Sequence, residues 1–203
     1  MTLKSQQTQI DRYFASKAAS YEQDAERGLW RYWKEKEYTA VLQAMGSIEG
    51  KKIFEAGCGK GWYAKRLIKL KPASYLAMDR LEEMGASIRF LGCDFVAGDL
   101  EALPLKGQYD RILCAGALEF TPFPAAFFKE AGRFLASDGR LILLAPSYNI
   151  ASFLYQSWHR FHGFKIHLFT KQDLHQMADS SGLKITQLIH PMPFTQVLTF
   201  QRK

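Results

Sequence analysis

Between residues 54 and 62 the chain reads FEAGCGKGW, with Gly57, Gly59 and Gly61 at alternate positions behind a short apolar run and ahead of a helical one. A glycine-rich turn that ends a strand and opens a helix lets backbone N–H groups approach a ligand closely, and the helix dipole favours a negative group there. Glu55 stands two residues before the first glycine. A carboxylate at that end of a strand repels a pyrophosphate but attracts an ammonium or a sulfonium. The dinucleotide pattern G-x-G-x-x-G uses its third glycine for helix packing, and here that position holds Trp62. The expected ligand is therefore partly cationic.

Further acids follow at spacings that carry chemistry. Asp79 ends the run SYLAMD, 20 residues past Gly59, and Asp99 lies in VAGDLEALPL. With EAGCGKG and YDRILCAGALEF these stretches resemble, in order and spacing, the class I S-adenosylmethionine-dependent methyltransferases. The resemblance spans the chain from about residue 50 to its end. It implies a Rossmann-like, seven-stranded, mostly parallel sheet with an antiparallel terminal hairpin, helices on both faces, and S-adenosylmethionine as cofactor with S-adenosylhomocysteine as product. It also implies roles for individual residues. Glu55, Gly57, Gly59 and Gly61 would form the methionine-side turn, and Asp79, followed by Arg80, would hold the ribose hydroxyls. Asp99 would bond the adenine amino group while Leu100 packs on the ring. Ala115 and Gly116 would lie beside the methionine part, and Tyr21 would close over the cofactor from a preceding lid helix. The Asn/Asp-Pro-Pro-Tyr/Phe motif of methyltransferases acting on exocyclic amines is missing, since that place reads AGALEF.

These residues need a scaffold that delivers them to one edge. The segments IDRYFASKAASYEQD and LWRYWKEKEYTAVLQAM carry apolar residues at helical spacing ahead of the first strand, KKIFEA. WYAKRLIKLK reads as a helix stopped by Pro72, SYLAMD as the second strand, RLEEMGASIRF as a glycine-interrupted helix and CDFVAGD as the third strand. YDRILCAG is the fourth strand. PFPAAFFKEAGRFLASDG is read as one helix running to Gly139, and RLILLAP as the fifth strand. Such alternation implies right-handed crossovers and a parallel sheet. TKQDLHQMADSSG has a capping-box start at Thr170 and Asp173, and LKITQLIH and TQVLTFQR are joined too closely for a crossover, so they pair antiparallel. The expectation is a single domain of 203 residues, with 1–48 as a helical cap, 49–203 as the core and 147–169 as a substrate-side insertion.

The polar start lacks a secretory core, no run is long enough to span a membrane, and three cysteines without C-x-x-C spacing indicate neither a disulfide framework nor a zinc site. A cytoplasmic protein without a metal is expected. The net charge is +7, and no carboxylate occurs between Asp138 and Asp173, where Arg140, Arg160, Lys165, Lys171 and three histidines fall. That segment favours an anionic group on the ligand. With the aromatic cap it points to a small aromatic or lipid-like acceptor; no recognition-helix or RNA-binding signature favours nucleic acid. Candidates for a general base are His162, next to Gly163, then Tyr148 and Glu119 just past the fifth and fourth strands. Two other functions fit the same residues: a cofactor-binding partner subunit without catalysis, and a nicotinamide-dependent oxidoreductase, which Trp62 and the terminal hairpin speak against.

Overall fold

The computed structural model of the protein describes residues 7–16, 28–161 and 166–203. Among them, strands β1 (Lys52–Ala56), β2 (Ser74–Asp79), β3 (Asp94–Ala97), β4 (Tyr109–Ala115), β5 (Leu135–Pro146), β6 (Leu183–Met192) and β7 (Thr195–Arg202) form one sheet in the order β3-β2-β1-β4-β5-β7-β6. The pairs among β1 to β5 are parallel, and β7 lies antiparallel between β5 and β6. The sheet class and terminal hairpin agree with the order of elements in the sequence.

The strands read as continuous apolar runs because helices cover both faces. On β5, Leu141 and Leu143 enter one core while Ile142 and Leu144 enter the other. The first core joins Phe54, Ile112 and Phe200 to Phe127 and Phe128 of α5 (Pro124–Phe134) and Leu174 of α7 (Lys171–Ser180). The second joins Ile53, Leu113 and Val197 to Val41 and Met45 of α2 (Gly28–Met45) and Leu67 of α3 (Ala64–Leu67). Residues 7–16 form α1, and α4 (Gly85–Phe90) and α6 (Ile150–Phe161) complete the set of helices used below.

Three elements depart from the sequence expectation. The helix begun by Pro124 stops at Phe134, because Leu135 turns extended (φ −76, ψ 130) to bury its side chain in the sheet. Residues 136–139 then bulge between the pairs Tyr109↔Leu135 and Arg111↔Arg140, so the turn marked by Gly139 lies inside β5. The run after the glycine turn gives only the single turn α3 and a 3-10 turn over Ile68–Leu70, ended by Lys71 in a left-handed conformation. A helix, α6, occupies much of the stretch expected only as an insertion. At α7, by contrast, the Thr170 side chain accepts from the Asp173 N–H at 3.1 Å and the Asp173 carboxylate accepts from the Thr170 N–H at 2.9 Å, the reciprocal cap read from TKQD. No helix of the described residues is long and apolar enough to cross a membrane.

Candidate functional site

The C-terminal ends of β1, β2 and β4 converge on a cleft of about 200 Å³. Strand order reverses between β1 and β4, the crevice where open parallel sheets bind ligands. Glu55, Gly57 and Gly59 line it from β1 and its turn, Asp79 and Arg80 from β2, Leu100 from beyond β3, and Ala115 and Gly116 from β4. Residues far apart in sequence are thus brought to one wall by the crossovers.

The glycine turn is held to β2: the N–H groups of Gly57 and Cys58 both donate to the Met78 carbonyl, at 2.8 and 2.9 Å. Gly57 has φ +74, and a Cβ there would sit 2.3 Å from the Ala117 Cβ, so only glycine lets the turn lie against the loop after β4. Gly59 has φ +51 with nothing within 4 Å of its Cβ position, which leaves open space on its cleft side. Its N–H donates to Asp79 Oδ2 at 2.8 Å, and the Leu81 N–H donates to Oδ1 at 3.1 Å. Each oxygen keeps a lone pair for a ligand hydroxyl. Burial pushes the Asp79 carboxyl up, and the backbone N–H bonds pull it back.

Glu55 is 2% exposed and accepts a hydrogen bond of 2.6 Å from the Tyr75 hydroxyl. Burial pushes its carboxyl up to about 8; the Tyr75 bond opposes that, and the nearby Asp79 adds to it. A buried carboxyl of this kind is stored neutral and becomes a charged partner when a cation arrives.

Residues 26–188 match the family described as "Methyltransferase domain". The chain belongs to this methyltransferase family. It is 35% identical over 113 residues to phthiotriol/phenolphthiotriol dimycocerosates methyltransferase 1 of Mycobacterium ulcerans, an alignment covering 51% of this chain and 41% of that one. It is 27% identical over 111 residues to the tRNA U34 carboxymethyltransferase of Nautilia profundicola, covering 51% and 37% respectively. The chain thus spans less than half the length of these relatives. Its fold matches the magnesium protoporphyrin IX methyltransferase of Synechocystis PCC 6803, solved with bound SAM, at a TM-score of 0.74 and 18% identity, over 98% of this chain and 97% of that one.

In this methyltransferase-family chain not every residue singled out by sequence reaches the cleft. Gly61 (φ +84) does not line it; a Cβ there would strike Ile88 at 2.5 Å, so its glycine serves packing against α4. Asp99 stands at the rim, its Oδ2 paired with Arg80 Nη2 at 2.7 Å and its Oδ1 accepting from the Glu101 N–H. Tyr148 is exposed against Phe153 and away from the cleft lining. Tyr21 and His162 lie outside the described residues. None of the described residues of 147–169 lines the cleft; Ile166 instead packs with Ile10 of α1.

Glu119 is fully enclosed behind the wall, and a Cβ on Gly116 would come within 3.9 Å of its Oε1. Its Oε2 finds no hydrogen-bond partner among the described residues. Burial raises its carboxyl to about 7, with Lys34 opposing and Glu37 adding to the rise. The sequence expects a lid helix on the other side of the cleft, carrying Tyr13, Phe14 and Tyr21, but singles out Tyr21 rather than the residues that line the space. Ile10, Asp11 and Phe14 of α1, Lys34 of α2, and Phe120 all line the cleft, with Phe14 edge-on to Phe120 at 4.9 Å. The aromatic periodicity of α1 was the available signal, but which of Tyr13, Phe14 and Tyr21 faces inward depends on where the helix docks.

Proposed function

We propose that the protein binds S-adenosylmethionine in this cleft and catalyses methyl transfer to a small, largely apolar acceptor bearing an anionic group. The observation that carries the reading is the convergence of a buried Glu55, a doubly hydrogen-bonded Asp79 and an open Gly59 on one crevice of a methyltransferase-family chain. The residues fit the cofactor's chemistry. Glu55 suits its cationic end, the spare lone pairs of Asp79 suit the ribose hydroxyls, and the open side of Gly59 admits close backbone approach. Leu100 and Met78 offer apolar surface for the base, with Arg80 and Asp99 fixing the rim. The cofactor, when bound, supplies an electrophilic methyl on a sulfonium for in-line displacement.

The chain's own work is to orient the acceptor and exclude water, and positioning alone can contribute about 7–11 kcal/mol. Ile10, Phe14 and Phe120 form an apolar cover that suits an aromatic or lipid-like acceptor. Lys34, paired with Glu37 at 3.2 Å and lining the cleft, provides positive charge for an anionic group. Glu119, enclosed behind Gly116 with its Oε1 toward that residue and its Oε2 without a hydrogen-bond partner among the described residues, is assigned as the proton acceptor for a nucleophile that needs deprotonation. The phthiotriol/phenolphthiotriol dimycocerosates in the name of the Mycobacterium ulcerans relative support a small-molecule acceptor, whereas the tRNA enzyme names the competing class. A reducing, cytoplasmic setting is in keeping with three buried free cysteines. The test is incubation with methyl-labelled S-adenosylmethionine and separate panels of fatty acids, quinone precursors and tRNA. Label in the organic extract is expected; label in tRNA alone overturns the acceptor class.

A further inference from the structure

The edge of the molecule beside the cleft carries an aromatic surface that the cleft does not use. Leu29 (73% exposed), Trp30 and Tyr32 (55%) lie on the first turns of α2, and Tyr148 (54%) and Phe153 at the start of α6. The two groups are joined through the β6–β7 turn. Trp30 meets Trp33 at 5.8 Å, and Trp33 meets Phe194 of the β6–β7 turn at 5.1 Å. That turn accepts the Ser147 N–H on the Phe194 carbonyl and the Asn149 side chain on the Pro193 carbonyl, which ties it to the root of α6.

Topology puts all of this at the cleft's end of the sheet. The chain enters β1 from the far end of α2, leaves β5 into α6, and turns between β6 and β7 at the same edge. Lys34, which lines the cleft, has its ammonium 5.9 Å from the Trp30 ring, so the patch borders the mouth.

Among the described residues, its exposed charges other than Glu35 are positive. Arg31, Lys36 and Arg160 are exposed, with the Lys36 ammonium 5.5 Å over the Tyr32 ring. The carboxylates of the same stretch of α2 are engaged, Glu35 with Arg66 at 3.5 Å and Glu37 with Lys34, and residues 139–172 carry none. Exposed Trp, Tyr and Phe interleaved with Lys and Arg match the composition of proteins seated in a lipid headgroup layer. A scattered set of surface aromatics would need no explanation, but one gathered at a single end of the sheet beside the cleft does.

We propose that this face docks onto an anionic bilayer, bringing the cleft mouth to the headgroup layer. Docking does not depend on methyl transfer; only its benefit to a lipid-like acceptor rests on the proposed function. The test is sedimentation of the full chain with phosphatidylcholine vesicles with or without phosphatidylglycerol, over a range of salt. Binding is expected to the anionic vesicles, weakening as salt rises. The pair Tyr32→Ser and Phe153→Ser should lower partitioning about tenfold, and Lys36→Glu with Arg160→Glu should abolish the preference for anionic lipid. Neither pair lines the cleft, so calorimetric affinity for S-adenosylmethionine serves as the folding control. Failure to bind either vesicle, binding indifferent to both pairs, or a dimer in solution dispersed by the same substitutions would each overturn the proposal.

Discussion

If Glu55 receives the cationic end of the cofactor, binding must be coupled to its ionisation. The carboxyl stands at about 8 because burial disfavours the charge, despite the Tyr75 hydrogen bond. At pH 6, about two units below that value, ionising it costs about 2.7 kcal/mol. Binding a cation therefore expels a proton, and affinity climbs about fifty-fold between pH 6 and pH 8 as the carboxylate fraction rises from about one-hundredth to one-half. By pH 8 the ligand's own amino group has lost its proton in about half of the molecules, which trims the net rise to about twenty-fold and turns the curve over. Titration calorimetry with S-adenosylmethionine at several pH values, each in two buffers of different ionisation enthalpy, reads both affinity and protons released. The wild type should release close to one proton at pH 6. Glu55→Gln should bind more weakly, release none and lose the rising limb while keeping the falling one. A wild-type profile without that limb, or one shared by the Gln variant, refutes the assignment.

Asp79→Asn removes the charge that would hold the ribose hydroxyls, and with two charge-assisted bonds of about 1.5–3 kcal/mol each at stake, cofactor affinity should fall a hundredfold or more in the same calorimeter. Gly57→Ala forces a left-handed residue into the Ala117 Cβ, about 2–5 kcal/mol together, and should lower the melting temperature by roughly 5–15 °C. Gly59→Ala has no such neighbour and should cost only about 1–2 kcal/mol of stability while weakening cofactor binding. Glu119→Gln should slow turnover on an acceptor that must lose a proton and remove the limb of the rate profile near pH 7, with cofactor affinity intact. Because the folded carboxyl is raised from 4.5, the unfolded chain releases its proton first and wild-type stability falls from about pH 4.5 to 7; above that the Gln variant should melt higher, by at most about 3 kcal/mol.

The sheet and the wall of the cleft built on the glycine turn were legible because both are written locally. Runs such as ILCA in β4 and LILLAP in β5, with no polar interruption, occur where both faces are covered, and a strand, a glycine turn and an acid at the next strand end recur at fixed distances. The reading failed where distant packing decides. Nothing near Phe134 signals that Leu135 will leave the helix for a place in the sheet, and Gly139, a good stop signal, was assigned to the wrong element. Gly61 looked like its two neighbours in the motif, yet Ile88, far along the chain, makes it a packing glycine. Lys34 lay in a helix that reads as core and scaffold, and only the docking of α2 across β5, β6 and β7 brings it to the cleft. Glu119 was named for its place after β4, but its enclosed, unpartnered oxygen became visible only once the walls around it were built.

The central claim is the identity of the ligand at the glycine turn, and titration of the purified chain with S-adenosylmethionine, S-adenosylhomocysteine and NADH tests it most directly. The account predicts heat of binding for the first two and none for NADH; binding of NADH, or of none of the three, would contradict it.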